Sequence, residues 1–291
     1  MIYQMIQTLS MSFPTRMICE LLGVSKTAYY RFCNNKSYQM SEEKTEKLEA
    51  VNEVFWEHKR RYGSRRIAAE LQEDGYMIGR HQVRTLMRTG ALKAIQPKSF
   101  VPKTTDSRHG KAICENLLLG EPMPTAPNCV WVGDITYLPL VDGQWGYLAT
   151  WLDIFSRVIV GWQVEEHMEA SLVVSALKKG LQWRCPASGL IVHSDQGGQY
   201  VSDQLVKLLK GYSCRQSMSR KGNCYDNAFA ESFYGRFKTE LLEGGAFLNI
   251  EDARTEIFDF IEVYYNRKRR HSSIENKSPL AFETEYYLSL N

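Results

Sequence analysis

The chain has 291 residues and a formal net charge of +3, and 44% of its residues are hydrophobic. This composition predicts a folded protein of about two domains and excludes a disordered or fibrous chain. It contains no uninterrupted run of about 18 apolar residues, so we expect neither a membrane span nor a secretory leader, and we expect a cytoplasmic protein. The seven cysteines form no CxxC pair, which argues against a disulfide framework or a zinc finger.

Charge is distributed unevenly along the chain. Residues 1–111 hold 19 Lys and Arg against 11 Asp and Glu, whereas residues 112–291 hold 17 against 22. A basic front third joined to an acidic remainder favours a polyanion-binding module attached to a part that uses carboxylates. The alternative is ordinary solvated surface charge.

Apolar residues in the front of the chain recur at helical spacing and are separated by short Gly or Ser turns. This pattern predicts an all-helical module over residues 1–95. In CELLGVSKTAYYRF, the apolar face ends at Leu22, Gly23 permits a turn, and Ser25 is placed to cap a second helix. We therefore predict a helix-turn-helix near residues 17–32, although an ordinary helical hairpin has the same pattern.

A second helical element is predicted over residues 42–92, and it carries a basic stripe. The stripe consists of Arg80, Arg84 and Arg88, spaced four residues apart. Like charges at this spacing destabilise an isolated helix, and a DNA backbone would reverse the sign of that effect. Arg65 and Arg66 are further DNA-binding candidates. A solvated basic face is the alternative.

Five of the nine prolines lie at positions 97, 102, 122, 124 and 127. Because proline removes backbone donors, this region predicts a linker, over residues 96–121. Three runs rich in β-branched and aromatic residues follow, and they predict adjacent strands: VWVGDITYLPL, WGYLATWLDIF and RVIVGWQV.

The rest of the chain predicts a helix over about 169–183, a short strand LIVHSD, a helix near Leu205 and a long helix over about 226–242. The order β-β-β-α-β-α-α predicts an α/β domain over residues 122–286, with a helical extension from about residue 246.

Two aspartates lie within or at the end of predicted strands. Asp134 lies inside the first run, where a lone carboxylate is costly to bury unless it is paired or bound to metal. Asp195 ends the run LIVHSD and begins a glycine turn, which is the usual position of sites in α/β sheets. Either residue alone fits a turn or a cap, and together they favour a functional edge of the sheet.

Glu231 is singled out by helical geometry. The apolar arc of its predicted helix consists of Phe229, Phe233, Phe237 and Leu241. Glu231 and Lys238 lie on the opposite face, about 10 Å apart along the axis. That face suits a carboxylate for metal and a cation for phosphate, and a solvated face is the alternative. Asp226 competes with Glu231 as a third acid, but its position suits a helix N-cap.

Other polar residues have weaker functional interpretations. Asp153 suits a strand end or a turn, and His193 suits a buried structural role. The basic run after residue 265 contains Arg267, Arg269 and Arg270. We predict that these arginines contact DNA phosphates, with a solvated tail as the alternative.

The sequence resembles, in five successive segments, the motifs of bacterial transposases of the insertion-sequence-three family, which are relatives of retroviral integrase. The segments are WVGDITYL, WLDIFSRVIVGW, HSDQGGQY, SMSRKGNCYDNAFAESFYGRFKTE and YNRKRRHSSIENKSPLAFE. The front segments YGSRRIAAEL and VRTLMRTGAL resemble the helical module of that family. The resemblance covers about Met17 to Phe282, and it implies an α/β, RNase H-like integrase core with a mixed sheet, preceded by a helix-turn-helix DNA-binding module.

The resemblance also implies a catalytic triad of Asp134, Asp195 and Glu231, with 35 residues between the last two. It implies that the triad holds two Mg2+ or Mn2+ ions and that Lys238 contacts DNA. Two such ions about 4 Å apart activate an attacking hydroxyl and stabilise the leaving oxygen. The expected reaction is DNA cleavage followed by strand transfer, in which a 3′-OH attacks a target phosphodiester. The alternatives are a nuclease of the same fold that cuts without joining and a DNA-binding regulator with an inactive catalytic domain.

The implied partners are double-stranded DNA, both the terminal inverted repeats of the element and the target, and at least one further copy of the chain in the synaptic complex. The product of an upstream reading frame is another candidate partner, and no membrane partner is expected. The sequence departs from the family at Gly198, where serine is common among relatives.

Overall fold

The computed structural model of the protein describes residues 2–34, 40–96, 113–220, 228–243 and 245–290. The described front part is helical, as predicted. Its helices are α1 (Ile2–Leu9), α2 (Thr15–Leu21), α3 (Lys26–Cys33), α4 (Glu42–Glu57), α5 (Ser64–Glu73) and α6 (Arg80–Thr89). Most of the predicted proline-containing linker and the competing acid Asp226 lie outside the described residues.

Helices α1–α3 enclose a small core of their own, formed by Ile6, Ile18, Cys19 and Tyr29. Gly23 lies between α2 and α3 with a φ of 64°, a left-handed conformation that favours glycine. Ser25 occupies the N-cap position of α3, as predicted, but its side chain makes no capping hydrogen bond.

A five-stranded mixed sheet forms the centre of the rear part. Its strands are β1 (Val130–Pro139), β2 (Trp145–Asp153), β3 (Ile159–Glu165), β4 (Ile191–Ser194) and β5 (Arg215–Met218), in the order β3-β2-β1-β4-β5. The first three pair antiparallel, and β4 and β5 are added in parallel. The central strand is therefore β1.

Strand β5 was not predicted from the sequence. Its four residues, RQSM, have no apolar alternation, and its pairing with β4 comes from residues distant in sequence. Such a short polar strand forms because its neighbours supply the hydrogen bonds, which local propensity does not record.

Helices pack on both faces of the sheet. They are α7 (Ala170–Arg184), α8 (Asp203–Gly211), α9 (Ala228–Phe237), α10 (Ile250–Phe258) and α11 (Pro279–Leu288). The predicted long helix over about 226–242 is observed from residue 228 as α9, and it continues as a π-helical segment over Lys238–Leu242. A second π-helical segment, Asp259–Tyr265, follows α10. The domain bounds given above stay a prediction.

The apolar arc predicted for the long helix faces the core. Phe233 and Phe237 are buried, and Phe229 and Leu241 pack against the same cluster. On the other side of the sheet, α7 packs closely on β3, because Gly161 and Gly180 lie at the contact and have no side chains.

Candidate active site

Asp134 lies where the central strand leaves its parallel neighbour. Strands β1 and β4 pair only between Val130–Val132 and Ile191–His193. Asp134 is two residues beyond the last pair on β1, and Asp195 is two residues beyond it on β4. Both aspartates follow the last paired residues on the carboxyl side, where β1 and β4 separate, so they lie at the same opening in the sheet.

The two carboxyl groups line one cavity of about 480 Å³. Its other lining residues include Gly197, Gly198, Gln199 and Tyr200. The backbone N–H of Gly197 donates to Asp195 Oδ1 at 2.9 Å. A Cβ at Gly197 would lie 3.0 Å from that same oxygen. The glycine turn therefore orients the carboxylate and leaves the cavity open in front of it.

The pKa of Asp134 is raised to about 8. Loss of solvation around this half-buried carboxyl is the main cause, and the nearby Asp195 carboxylate adds to it. The N–H of Ile135, which donates to Asp134 Oδ1 at 2.8 Å, partly opposes the rise. A carboxylate pair held in this way is typical of a site that receives a cation.

Glu231 lies on α9, which is tied directly to Asp134. The hydroxyl of Tyr234, one helical turn after Glu231, donates to the backbone carbonyl of Asp134 at 2.7 Å. It accepts a hydrogen bond from Thr150 Oγ1 at 2.9 Å. Glu231 itself is exposed, and its charge contributes to the raised pKa of Asp134. The tie through Tyr234 was not predicted from the sequence.

The three acids do not form a closed metal-binding cluster. Among the described residues, no three His, Cys, Asp or Glu side chains lie together closely enough to hold one ion. Asp134 and Asp195 share the cavity, whereas Glu231 is not among the lining residues. The donor set in place is thus two carboxylates with a third acid on an adjoining helix.

Lys238 follows α9 as the first residue of the π-helical segment and is half-buried. Burial lowers its pKa, and the charge of Asp134 opposes that shift. Lys238 is therefore within electrostatic range of Asp134, seven residues after Glu231.

The basic stripe on α6 lies on the protein surface. Arg80, Arg84 and Arg88 are exposed, and the apolar face of the same helix is buried. Arg65 on α5 is exposed as well, and so is Arg267 in the basic run near the end of the chain. All five guanidinium groups are placed where they can reach a ligand in solution.

The other three predicted DNA-binding arginines face the protein. Arg269 is 1% exposed, and its guanidinium donates to both carboxylate oxygens of Glu240, at 2.7 and 2.6 Å. Arg270 pairs with Glu70 and Glu73. The half-buried Arg66 lies 3.5 Å from Glu240.

The DNA-binding role of Arg66, Arg269 and Arg270 stays a prediction. These contacts match their charges with carboxylates of the protein itself, of which Glu240 is buried, Glu70 is half-buried and Glu73 is exposed. Together they join the front helices to the π-helical segment after α9. The burial of Glu240 between them left no signal in the sequence, where it resembles any surface glutamate.

Two polar residues are structural, as predicted. Asp153 is fully buried, and its carboxylate accepts hydrogen bonds from the backbone of Asn128, Phe155 and Ser156 and from the indole of Trp131. The buried His193 pairs through Nδ1 with Ser217 Oγ at 2.8 Å.

Comparisons with known proteins identify the family. A model described as an integrase core domain matches residues 124–224, a second with that description matches residues 212–279, and a model described as an HTH-like domain matches residues 42–100. The transposase InsF for insertion sequence IS3A, from Escherichia coli (strain K12), is 36% identical over 285 residues, covering 97% of this chain and 98% of that protein. The chain belongs to the IS3 family of transposases.

Another IS3-family relative, the insertion element IS600 uncharacterized 31 kDa protein of Shigella sonnei, is 38% identical over 271 residues. It covers 93% of this chain and 98% of its own length. The predicted family, fold class and function are confirmed: this is a DNA-binding polynucleotidyl transferase with an integrase core, and transposition by DNA cleavage and strand transfer is its function.

Two solved structures are similar to this IS3-family chain. One is the simian T-cell lymphotropic virus intasome in complex with PP2A regulatory subunit B56 gamma, 17% identical, with a TM-score of 0.45 over 74% of this chain and 70% of that chain. The other is the HTLV-2 integrase catalytic core domain in complex with magnesium, in its trimeric form, 16% identical, with a TM-score of 0.42 over 55% of this chain and 98% of that chain.

None of the helices in the described ranges has the length and hydropathy of a membrane-spanning segment.

Proposed function

We propose that Asp134, Asp195 and Glu231 form the catalytic centre of this transposase and hold two Mg2+ or Mn2+ ions. The observation that carries the proposal is the shared cavity of Asp134 and Asp195, just beyond the point where the parallel pairing of β1 and β4 ends. Glu231, on the helix that Tyr234 ties to Asp134, is the proposed third ligand.

The chemistry of the donor set supports a hard divalent cation. Carboxylate oxygens are the protein ligands that Mg2+ prefers. Two carboxylates about 4 Å apart repel by about 4 kcal/mol at an effective dielectric constant near 20, and a cation removes that cost. The pKa of Asp134 is raised mainly by burial, and repulsion by Asp195 adds to that rise. Bound cations polarise phosphoryl oxygens and lower the pKa of an attacking hydroxyl.

The residues of the chain orient the reacting groups in two successive in-line phosphoryl transfers. In the first, water attacks the phosphodiester at the element end and releases a 3′-OH. In the second, that 3′-OH attacks a target phosphodiester and displaces its 3′ oxygen. Asp134 and Asp195 are fixed by the N–H groups of Ile135 and Gly197, and Lys238 binds a DNA phosphate oxygen close to Asp134. No covalent bond between enzyme and DNA is required.

Double-stranded DNA, from the terminal inverted repeats and from the target, is the proposed substrate. The exposed basic side chains on the front helices and near the end of the chain are the proposed phosphate contacts: Arg65, Arg80, Arg84, Arg88 and Arg267. Each cation that neutralises a phosphate releases counterions and so adds to affinity without adding sequence preference.

Two element ends must be held together for strand transfer, so we also propose at least a dimer in the synaptic complex. The product of an upstream reading frame is a further proposed partner. Since the substrate is chromosomal DNA, the proposed compartment is the bacterial cytoplasm. The proposed bounds are a front module over residues 1–95, a linker over 96–121 and a catalytic domain over 122–286.

The test combines the purified chain with Mg2+ and the terminal sequences of its own element, and maps all new 3′ ends. Asp134→Asn, Asp195→Asn and Glu231→Gln should each abolish cleavage and joining while leaving DNA binding largely intact. Asp203→Asn is the matched control, because Asp203 is an exposed acid at the start of α8 in the same domain. Normal strand transfer by any one triad variant would refute the assignment of that residue.

The same assay separates the alternatives. A nuclease would yield new 3′ ends without joined products, and a DNA-binding regulator would yield neither while still retaining the DNA.

A further inference from the structure

The hydroxyl of Tyr200 is a buried donor without a partner. Tyr200 is 2% exposed, and its hydroxyl oxygen has no hydrogen-bond partner among the residues that the structure describes. The residue nevertheless lines the same cavity as Asp134 and Asp195. Enclosing a hydroxyl without a hydrogen bond costs stability, and phenylalanine would avoid that cost. A tyrosine at this position therefore indicates a role for the hydroxyl itself.

The position of this hydroxyl is fixed by contacts at the other end of the residue. The backbone N–H of Tyr200 donates to the carbonyl of Gly197 at 2.9 Å, and its own carbonyl accepts from Gln216 Nε2 at 2.6 Å. Its ring packs edge-on against Trp151, with centroids 5.9 Å apart and an interplanar angle of 90°. The hydroxyl is thus held in one place before any ligand arrives.

A second buried tyrosine at the site gives a direct contrast. The Tyr234 hydroxyl donates to the Asp134 carbonyl and accepts from Thr150. Its hydrogen bonds account for its presence as part of the fold. No comparable bond accounts for the hydroxyl of Tyr200 within the described residues.

We propose that Tyr200 is a positioning residue, whose hydroxyl donates a hydrogen bond to the Asp134 carboxylate when that carboxylate binds a divalent cation. The proposal rests on the proposed function of Asp134 as a metal ligand. Carboxylates that bind metal are themselves held by hydrogen bonds, and loss of such a bond commonly costs 10- to 100-fold in metal affinity.

Charge around the hydroxyl agrees with this role. Burial, and then the carboxylates of Asp134 and Asp195, hold the pKa of Tyr200 well above its ordinary value, with Asp134 exerting the larger effect of the two acids. The phenol therefore keeps its proton and remains a donor. The N–H of Ile135 occupies one of the four acceptor sites of the Asp134 carboxylate, so sites remain for this donor.

The experiment compares the full-length wild type with Tyr200→Phe, Tyr234→Phe and Tyr212→Phe. Tyr212 is an exposed tyrosine after α8, so its variant controls for loss of a phenol as such. The melting temperature of each protein is measured in chelator and then during titration with MnCl2, without DNA.

In chelator, Tyr200→Phe should melt at or above the wild-type temperature, because the lost hydroxyl has no partner. Tyr234→Phe should melt about 2–4 °C lower, since it loses hydrogen bonds in the interior. With Mn2+, the concentration that gives half of the metal-dependent shift should rise about 10-fold or more in Tyr200→Phe. Tyr212→Phe should match the wild type in both conditions.

Two results would overturn the proposal. One is a melting temperature of Tyr200→Phe in chelator as low as that of Tyr234→Phe, which would make the hydroxyl structural. The other is an unchanged Mn2+ midpoint. Asp134→Asn separates this failure from failure of the proposed function: if it keeps the Mn2+ response and strand transfer, the catalytic assignment itself fails. If it loses both while Tyr200→Phe behaves as wild type, only the role of Tyr200 fails.

Discussion

Glu240 and Arg269 form a two-pronged ion pair in the interior, with Nε to Oε2 at 2.7 Å and Nη2 to Oε1 at 2.6 Å. The backbone carbonyl of Glu240 accepts a further hydrogen bond from Arg61 Nε at 3.0 Å. The segment that follows the Glu231 helix is therefore held by the front helices on one side and by the end of the chain on the other.

Glu240→Gln should lower the free energy of unfolding by about 3–5 kcal/mol, because it leaves the buried Arg269 charge without its counter-charge. Urea denaturation followed by circular dichroism measures this change. Glu243→Gln is the control, since Glu243 pairs with Arg60 at 3.1 Å on the surface and its loss should cost less than about 1 kcal/mol. Equal effects of the two substitutions would contradict the special role of Glu240.

The contact between the front helices and the catalytic part should weaken in acid because of His58. This buried side chain stacks on Tyr62 with ring centroids 3.7 Å apart, and burial lowers its pKa to about 4. The charged groups that face it are Glu57, Arg61, Glu70, Lys268 and Arg270. Its folded-state pKa lies below the unfolded value, so its contribution to stability is present above pH 6.5 and is lost as pH falls toward 4.

The melting temperature should therefore fall between pH 7 and pH 5, and His58→Gln should flatten that dependence. His167→Gln supplies the comparison, because His167 is exposed. A wild-type melting curve that is flat over this pH range, or a slope unaffected by His58→Gln, would exclude His58 as the responsible group.

The basic stripe on α6 should be visible in the salt dependence of DNA binding. Arg80→Gln, Arg84→Gln and Arg88→Gln should each weaken binding to all DNA sequences and reduce the slope of log affinity against log salt by about 1. Fluorescence anisotropy at several salt concentrations gives the slope. Lys207→Gln, which removes an exposed cation from α8, should leave it unchanged. Three unaffected slopes would show that α6 does not lie on DNA.

Close packing of α7 on the sheet should make Gly161 intolerant of a side chain. A Cβ at this residue would lie 2.2 Å from the carbonyl oxygen of Ala176 and 3.0 Å from the backbone N of Gly180. Because backbone cannot rotate away, Gly161→Ala should cost about 1–3 kcal/mol or more of stability. At Gly211 there is nothing within 4 Å of an added Cβ, and Gly211→Ala should be neutral or slightly stabilising. Similar stability of the two variants would contradict the close approach.

The sequence was sufficient to predict the strands that carry Asp134 and Asp195, because β-branched and aromatic residues mark each strand and turn residues mark its end. It also placed Glu231 opposite the aromatic face of its helix. Family resemblance then brought the three acids together as one triad, whereas the described structure brings Asp134 and Asp195 to one cavity and leaves Glu231 on the adjoining surface.

The sequence was insufficient wherever a side chain meets residues distant in the chain. A run of arginines does not show which side chains point to solvent and which point to the interior. Arg267, which is exposed, and Arg269, which is buried, were therefore both predicted to bind DNA. The carboxylates that enclose Arg269 and Arg270 come from Glu240 and from α5, and no local pattern connects them. Tyr200 and Tyr234 were likewise indistinguishable from ordinary core aromatics.

The bond between Tyr234 and the Asp134 carbonyl limits how Glu231, the third metal ligand in our proposal, can approach Asp134 and Asp195. With the helix secured to the sheet one turn away, Glu231 must cover the remaining gap by rotation about its own side-chain bonds and not by travel of the backbone. A glutamate side chain has one methylene group more than an aspartate side chain and so reaches further from the backbone. On the proposed assignment, an acid one methylene shorter at position 231 would keep its charge and fail to reach the ions that Asp134 and Asp195 hold.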